Sequence, residues 1–360
     1  MKLSENMINE IDEKTLRSFA AAAEQNGRLC NEQLEIIYKN NWFNLFVPKE
    51  YGGLELSLTD GLKIEESLAY IEGSLGWTVT LCAGANWFVG FLNKKAALEI
   101  FSDKKVCLAG SGRPSGVAKI LPGGFEITGY WKYATGAPHA TVFTVNCVME
   151  KDGLLLKDEN GKPQIASFWF TKDEVSIDYD WKTMGMKATA SESFSVYKLI
   201  VPANRIFHIQ PTSVVLEGAI YRYPFLQFAE ATLAINMSGM AMHFFDLCEF
   251  LFSEKYAEAG ADASLKMKNL LDNCKQRLNN LREIFFEAID RSWAELQRTQ
   301  SVNDKDLKQI SEVCKELARS ARLLTEELYP HCGLTAADPT TEINRIWRDI
   351  HTASQHTLLV

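Results

Sequence analysis

The residues best equipped for chemistry lie in a few short stretches. The richest is Gly123 to Ala140, GGFEITGYWKYATGAPHA. Phe125, Ile127, Trp131 and Tyr133 alternate with Glu126, Thr128, Tyr130 and Lys132, so this period of two predicts a half-buried strand. The strand turns at Gly123-Gly124 and ends in the small cluster Ala134-Thr135-Gly136-Ala137. An aromatic strand ending in small residues and a hydroxyl offers a flat wall, free backbone N–H groups and one hydrogen-bonding side chain. Such a wall suits a planar heteroaromatic cofactor such as a flavin; the same pattern also fits an ordinary sandwich strand. Gly110 to Gly116, GSGRPSG, is glycine-rich, yet its third glycine comes one residue late for a dinucleotide fingerprint and it lacks the Gly-Lys-Ser/Thr of a P-loop. Thr189 and Ser191 follow Gly185-Met186 and read as a hydroxyl-capped turn. Near the end stands Gln355-His356, and a histidine can take a proton from a phenol near neutral pH. The Arg348-Asp349 pair just before it reads as a structural ion pair, and Glu230, in PFLQFAEATLA, reads as a solvated or ion-paired glutamate.

These stretches need a scaffold, and the hydrophobic pattern supplies one in three parts. Residues 1–104 read as helical: Leu16, Phe19 and Ala23 recur at helical spacing, as do Leu62 and Leu68, then Trp77 and Leu81. Residues 105–212 change to short β-rich runs, Val106–Ala109, Phe125–Tyr133, Val142–Val148, Ile165–Phe170 and Phe194–Ile200, with Asn160-Gly161 as a hairpin signal. This part reads as a small sandwich or barrel, with Gly110–Gly116 as a loop. Residues 213–360 return to helix. Leu265, Leu271, Cys274, Leu278, Leu281 and Phe285 follow a three-four spacing, as do Ile310, Cys314, Leu317, Ala321 and Leu324. Asp338-Pro339 reads as the cap and first position of the last helix, and the long helices predict an antiparallel bundle.

Composition limits the partners. The 360 residues are 46% hydrophobic, enough for a substantial core. A net charge of −8 argues against a nucleic-acid partner, which needs a basic face. No run reaches the roughly 18 apolar residues of a membrane span. The opening MKLSENMINEIDEK is too polar for a signal peptide. The eight cysteines lie far apart without a Cys-x-x-Cys, and most sit in apolar patterns, so they read as reduced core thiols of a cytoplasmic protein with no metal site.

In order along the chain, FVPKEYGG (Phe46–Gly53), Ser74-Leu75-Gly76-Trp77, the strand with its W-x-Y-x-T-G ending, WKTMGMKATAS (Trp181–Ser191) leading to Val201-Pro202, and RIWRDIHTASQH (Arg345–His356) resemble the acyl-CoA dehydrogenase superfamily. The resemblance covers nearly the whole chain. It implies an α+β fold: an N-terminal helical domain, a central β-sandwich or barrel and a C-terminal four-helix bundle, assembled as a homotetramer. It also implies a flavin, FAD or FMN. Tyr133 would take the place of the family's aromatic residue beside the flavin ring, with Ala134 next to it. Thr135 would take the place of the hydroxyl at flavin N5, and Thr189 and Ser191 would lie near the flavin phosphates. Ser111, Gly112, Arg113, Pro114 and Ser115 stand where dehydrogenases carry Thr-Glu-Pro, and look more like the two-component flavin monooxygenase branch. There Ser111 would bond a substrate hydroxyl and Arg113 would pair with a flavin phosphate or an acidic substrate. The dehydrogenase Glu-Gly-Thr is missing, and His356 would face the substrate as in the monooxygenases. Two departures stand out: Ala83-Gly84-Ala85-Asn86-Trp87 lacks a second histidine, and Pro330-His331-Cys332-Gly333 replaces the family's Gln-x-x-Gly-Gly. The resemblance thus implies a monooxygenase fed reduced flavin by a separate reductase and acting on an aromatic or heteroatom-containing small molecule. The alternatives are an FAD-dependent acyl-CoA dehydrogenase with Glu230 as base, and a scaffold that kept the fold without catalysis.

Overall fold

The computed structural model describes residues 7–255 and 260–360; part of the polar opening of the chain, residues 1–6, lies outside them. Six helices come first: α1 (Glu10–Ser18), α2 (Ala20–Asn26), α3 (Asn31–Lys39), α4 (Leu58–Ile71), α5 (Gly73–Asn86) and α6 (Lys94–Ile100). Side chains cap the starts of α1, α4, α5 and α6. Asn9 accepts the Asp12 N–H at 2.9 Å, and Glu72 accepts the Leu75 N–H at 2.7 Å at the head of α5.

The strands follow: β1 (Leu108–Leu121), β2 (Gly124–Ala134), β3 (Val142–Lys151), β4 (Leu154–Leu155), β5 (Ile165–Thr171), β6 (Ser176–Asp178), β7 (Glu192–Pro202) and β8 (Ile206–Phe207). They make one mixed sheet in the order β6-β7-β2-β1-β3-β5-β8, with β4 added to β3 and with β1 parallel to β3. The sheet curls on itself. Phe125 of β2 meets Phe168 of β5 at 5.0 Å between ring centroids, and Phe143 of β3 meets Phe194 of β7 at 4.7 Å, although neither pair is on adjacent strands. The aromatic core this encloses, with Trp131 at its centre, meets the barrel-like expectation. Two local readings change. Gly110–Gly116 is part of β1 rather than a free loop. In β2 the alternation slips, because Lys132 and Tyr133 stand opposite the single residue Ser193 of β7. This β-bulge turns Ala134, rather than Tyr133, into the core.

The helices return as α7 (Phe225–Lys255), α8 (Ala261–Thr299), α9 (Asp304–Leu328), α10 (Leu334–Ala337) and α11 (Glu342–Ala353). Helix α7 is buried nearly all round, as expected of a central helix packed against α4, α5, α8, α9 and α11. One hydrophobic cluster runs through both helical segments, from Leu16 of α1 to Ile350 of α11. Inside it, Arg282 of α8 grips Glu66 of α4 with two bonds of 2.6 Å, and Ser238 of α7 donates to the same carboxylate at 2.7 Å. The last helix starts later than the Asp338-Pro339 pair suggests. Asp338 accepts the N–H and hydroxyl of Thr340 in a local turn, and Thr341 is the cap of α11. Among the described residues no helix is long and apolar enough to cross a membrane.

Candidate functional site

A cavity of about 230 Å³ lies between the sheet, α5 and α7. Helix α5 gives it a stripe at helical spacing, Thr80, Leu81, Gly84 and Ala85, continued by Phe88 in the turn after it, and α7 gives another, Phe225, Phe228, Ala229, Thr232 and Leu233. The sheet supplies Ser111, Thr135, Thr144, Asn146 and Ser167, and the chain end closes it with His356 and Leu358. The walls are therefore aromatic and aliphatic, dotted with hydroxyls.

Ser111 reaches the cavity because β1 bulges there. Ser111 pairs with Val145 and Gly116 with Cys147, so the residues from Gly112 to Ser115 stand opposite Asn146 alone. Asn146 holds the bulge by donating to the Gly112 carbonyl at 2.9 Å while accepting from Ser167 at 2.7 Å. Glycine is required at position 110, since a Cβ there would lie 2.2 Å from the Thr144 hydroxyl. Asn146 and Ser167 were not singled out from the sequence. Their signal was a polar residue on each of two apolar strands, which only their pairing turns into neighbours. Arg113 sits exposed on the bulge and does not line the cavity.

His356 follows the end of α11, with its backbone N–H on the Ala353 carbonyl at 3.0 Å. Trp77 of α5 meets its ring edge-on at 5.9 Å. The Leu358 N–H points at His356 Nδ1 at 3.3 Å, so Nδ1 is the acceptor and the neutral ring carries its proton on Nε2. Burial pushes the imidazole pKa below its ordinary value, which keeps it neutral. Among the described residues His356 is the only titratable side chain lining the cavity.

The glutamate considered as an alternative base faces elsewhere. Glu230 is buried on the side of α7 toward α9, where it accepts the Ser311 hydroxyl at 2.5 Å, and it does not line the cavity. Among the described residues no carboxylate lines the cavity to perform an α-proton abstraction there. Arg348 and Asp349, expected to pair with each other, do not. Adjacent helical residues diverge by about 100°. Arg348 binds Glu24 and the Met184 carbonyl, while Asp349 accepts the Met186 N–H at 2.5 Å.

Those contacts clamp the turn that carries Thr189 and Ser191. Gly185 packs so tightly on α11 that a Cβ would lie 2.1 Å from the Arg348 carbonyl. Thr189 and Ser191 face inward, both buried. Thr135, Ser191 and Thr189 hydroxyls form a line with 2.8 Å contacts, and Thr189 donates to the Met186 carbonyl at 2.8 Å. The Gly136 N–H donates to the Thr189 carbonyl at 2.8 Å and joins the strand end to the turn. Tyr133 lies on the other side of that strand end. Its positive φ of 69° at the bulge swings the ring outward, 56% exposed, edge-on to Trp181 at 6.0 Å. Ala134 puts its methyl into the sheet core, leaving only its backbone for a ligand.

A flavin fits the chemistry of this set: an aromatic pair at a strand edge, a bulge that leaves a residue unpaired, and the Thr135 hydroxyl where the strand end meets the cavity wall. Two profiles match the chain in the order of the fold, acyl-CoA dehydrogenase N-terminal domain over residues 2–91 and acyl-CoA dehydrogenase C-terminal domain over residues 231–360. The chain belongs to the acyl-CoA dehydrogenase superfamily. Within that superfamily it is similar to the flavin-dependent monooxygenase, oxygenase subunit HsaA, of Rhodococcus jostii (strain RHA1), 24% identical with 95% of this chain and 91% of that one covered. It is also similar to the indole-3-acetate monooxygenase of Pseudomonas putida, 26% identical with 88% and 80% covered. The crystal structure of the HsaA monooxygenase from M. tuberculosis superposes with a TM-score of 0.88 at 21% identity, covering 97% of this chain and 92% of that one. The superfamily fold expected from the motifs is thus borne out.

Proposed function

We propose that this protein is the oxygenase component of a two-component flavin-dependent monooxygenase acting on a small aromatic molecule. The observation that carries the reading is the cavity itself, walled by Phe88, Phe207, Phe225 and Phe228 and, among the described residues, holding one neutral histidine and no carboxylate. The relatives' names supply the class: flavin-dependent monooxygenase, oxygenase subunit, and indole-3-acetate monooxygenase. An oxygenase subunit implies a separate reductase that delivers reduced flavin. When bound, the flavin supplies the electrons that let one atom of dioxygen enter the substrate while the other leaves as water.

The chain's own residues then have distinct tasks. Tyr133 and Trp181, in edge-on contact with each other, would border a bound flavin ring, and the Thr135 hydroxyl would bond to it. His356, protonated at Nε2, donates to the oxygen or nitrogen of the aromatic substrate and holds its ring in register. It stays neutral through the physiological range, because burial has moved its titration lower. Ser111 offers a second hydrogen bond. The aromatic walls exclude water, which protects the reaction from wasted turnover. Cytoplasmic location and assembly as a homotetramer belong to the same reading; Leu265, Ile284 and Leu323 are exposed apolar residues on the long C-terminal helices.

The test is anaerobic titration with reduced and oxidised FAD and FMN, then addition of ¹⁸O₂ with indole-type and phenolic substrates and mass analysis of the product. One labelled oxygen in the product, lost together with substrate affinity in His356→Ala, is the expected result. Tight retention of oxidised FAD with dehydrogenation of an acyl-CoA would overturn it. The acid limb of the rate should lie below pH 6.5, the ordinary histidine value, and disappear in His356→Asn.

A further inference from the structure

The line of hydroxyls behind Thr135 has a forced proton order. A carbonyl oxygen only accepts, so the single proton of Thr189 goes to Met186. The Thr189–Ser191 contact of 2.8 Å must then take its proton from Ser191. The Thr135–Ser191 contact, also 2.8 Å, must in turn take its proton from Thr135. Water does not compete, because Thr135, Thr189 and Ser191 are 6%, 1% and 4% exposed. The anchoring carbonyl is itself held: Met186 accepts Trp181 Nε1–H at 2.8 Å, and its own N–H is bound by Asp349. Thr135 therefore reaches the cavity with its proton already committed. Its oxygen can accept a hydrogen bond and cannot give one.

The two redox states of a flavin differ at N5. The oxidised ring presents a lone pair there, and the reduced ring presents an N–H. We propose that Ser191 and Thr189 are positioning residues that polarise Thr135 into an acceptor, so that the site selects reduced flavin over oxidised flavin. This rests on the flavin reading above. It suits an enzyme that must take up flavin already reduced elsewhere and let go of it once oxidised.

The test uses the full-length protein under nitrogen, titrated with oxidised and with dithionite-reduced FAD and FMN. The readout is the ratio of the two dissociation constants. Wild type should prefer the reduced form. Ser191→Ala releases the Thr135 proton, so the preference should fall by about tenfold, the worth of one hydrogen bond exchanged for an unfavourable contact. The bound flavin's midpoint potential should drop by about 30 mV for that tenfold change. Thr189→Val leaves Ser191 free to donate either way and should give a smaller fall in the same direction. It also serves if Ser191→Ala folds poorly. A ratio within about twofold of wild type in folded variants overturns the proton-order proposal and leaves the flavin reading intact. Equal binding of both forms by the wild type overturns the proposal as well. Binding of neither form overturns both.

Discussion

Asp349 offers the sharpest test of how the site is held. It is 1% exposed, with Oδ1 on the Met186 N–H and Oδ2 without a hydrogen-bond partner among the described residues. Burial first, and the neighbouring Glu72 second, push its carboxyl well above the ordinary range, against the pull of the Met186 N–H and Arg345. A carboxyl whose folded pKa is raised contributes its full stability below the unfolded value, about 3.9, and loses it as pH rises toward the folded value, at about 1.36 kcal/mol per unit. Asp349→Asn keeps the acceptor and removes the titration. It should be at least as stable as wild type at pH 7, with an advantage that shrinks as pH falls toward about 4. Asp349→Ala removes the acceptor and strands a buried N–H, so it should be less stable than the Asn variant by about 1–3 kcal/mol. The Ala variant should also bind reduced flavin more weakly, because Met186 anchors the turn carrying Thr189 and Ser191. Urea unfolding of all three proteins at several pH values reads the stability terms. If Asn proves as damaging as Ala at pH 7, the carboxylate is charged and its charge holds the turn, and the reasoning fails.

Three further outcomes are expected. Arg282→Ala should cost about 3–5 kcal/mol in urea unfolding, because it strands the buried Glu66 carboxylate; a paired Glu66→Met, Arg282→Met change should recover most of that loss. Burial, then Arg28 and Lys172, push the His139 pKa from 6.5 down to about 4. Its contribution is thus intact above pH 6.5 and lost as pH falls toward about 4, and His139→Asn should flatten the acid loss of melting temperature by up to ~3 kcal/mol equivalent. Asn146→Ala should cost about 1–2 kcal/mol from two lost bonds and raise the aromatic substrate's KM more than it lowers kcat, as the Ser111 bulge loosens; an unchanged KM would remove the bulge from the binding site.

Much of the architecture was legible along the chain. Three-four spacing found α8 and α9 because each buries a stripe, and the period of two found β2 as far as Trp131 because its face packs in the aromatic core. The motif order was also local information, and it carried the superfamily and the candidate residues Thr135, Thr189, Ser191, Ser111 and His356. Other features depended on a partner distant in sequence. Gly110–Gly116 looked like a loop until pairing with β3 made it a bulged strand. The outward turn of Tyr133 was hidden because the slip arises from the register against β7. Asp338-Pro339 has the composition of a helix start, yet its side chain closes a local turn on Thr340 instead.

The division has a physical cause. Periodicity reports which side of an element is apolar, and so it determined the elements and the residue types available for chemistry. It is silent where an element is buried all round. Helix α7 has no polar stripe, and only its packing decided that Thr232 faces the cavity while Glu230 faces Ser311. Hydrogen-bond direction is equally non-local. The hydroxyls of Thr135 and Ser191, far apart in the chain, acquire a proton order only when folding lines them up on the Met186 carbonyl.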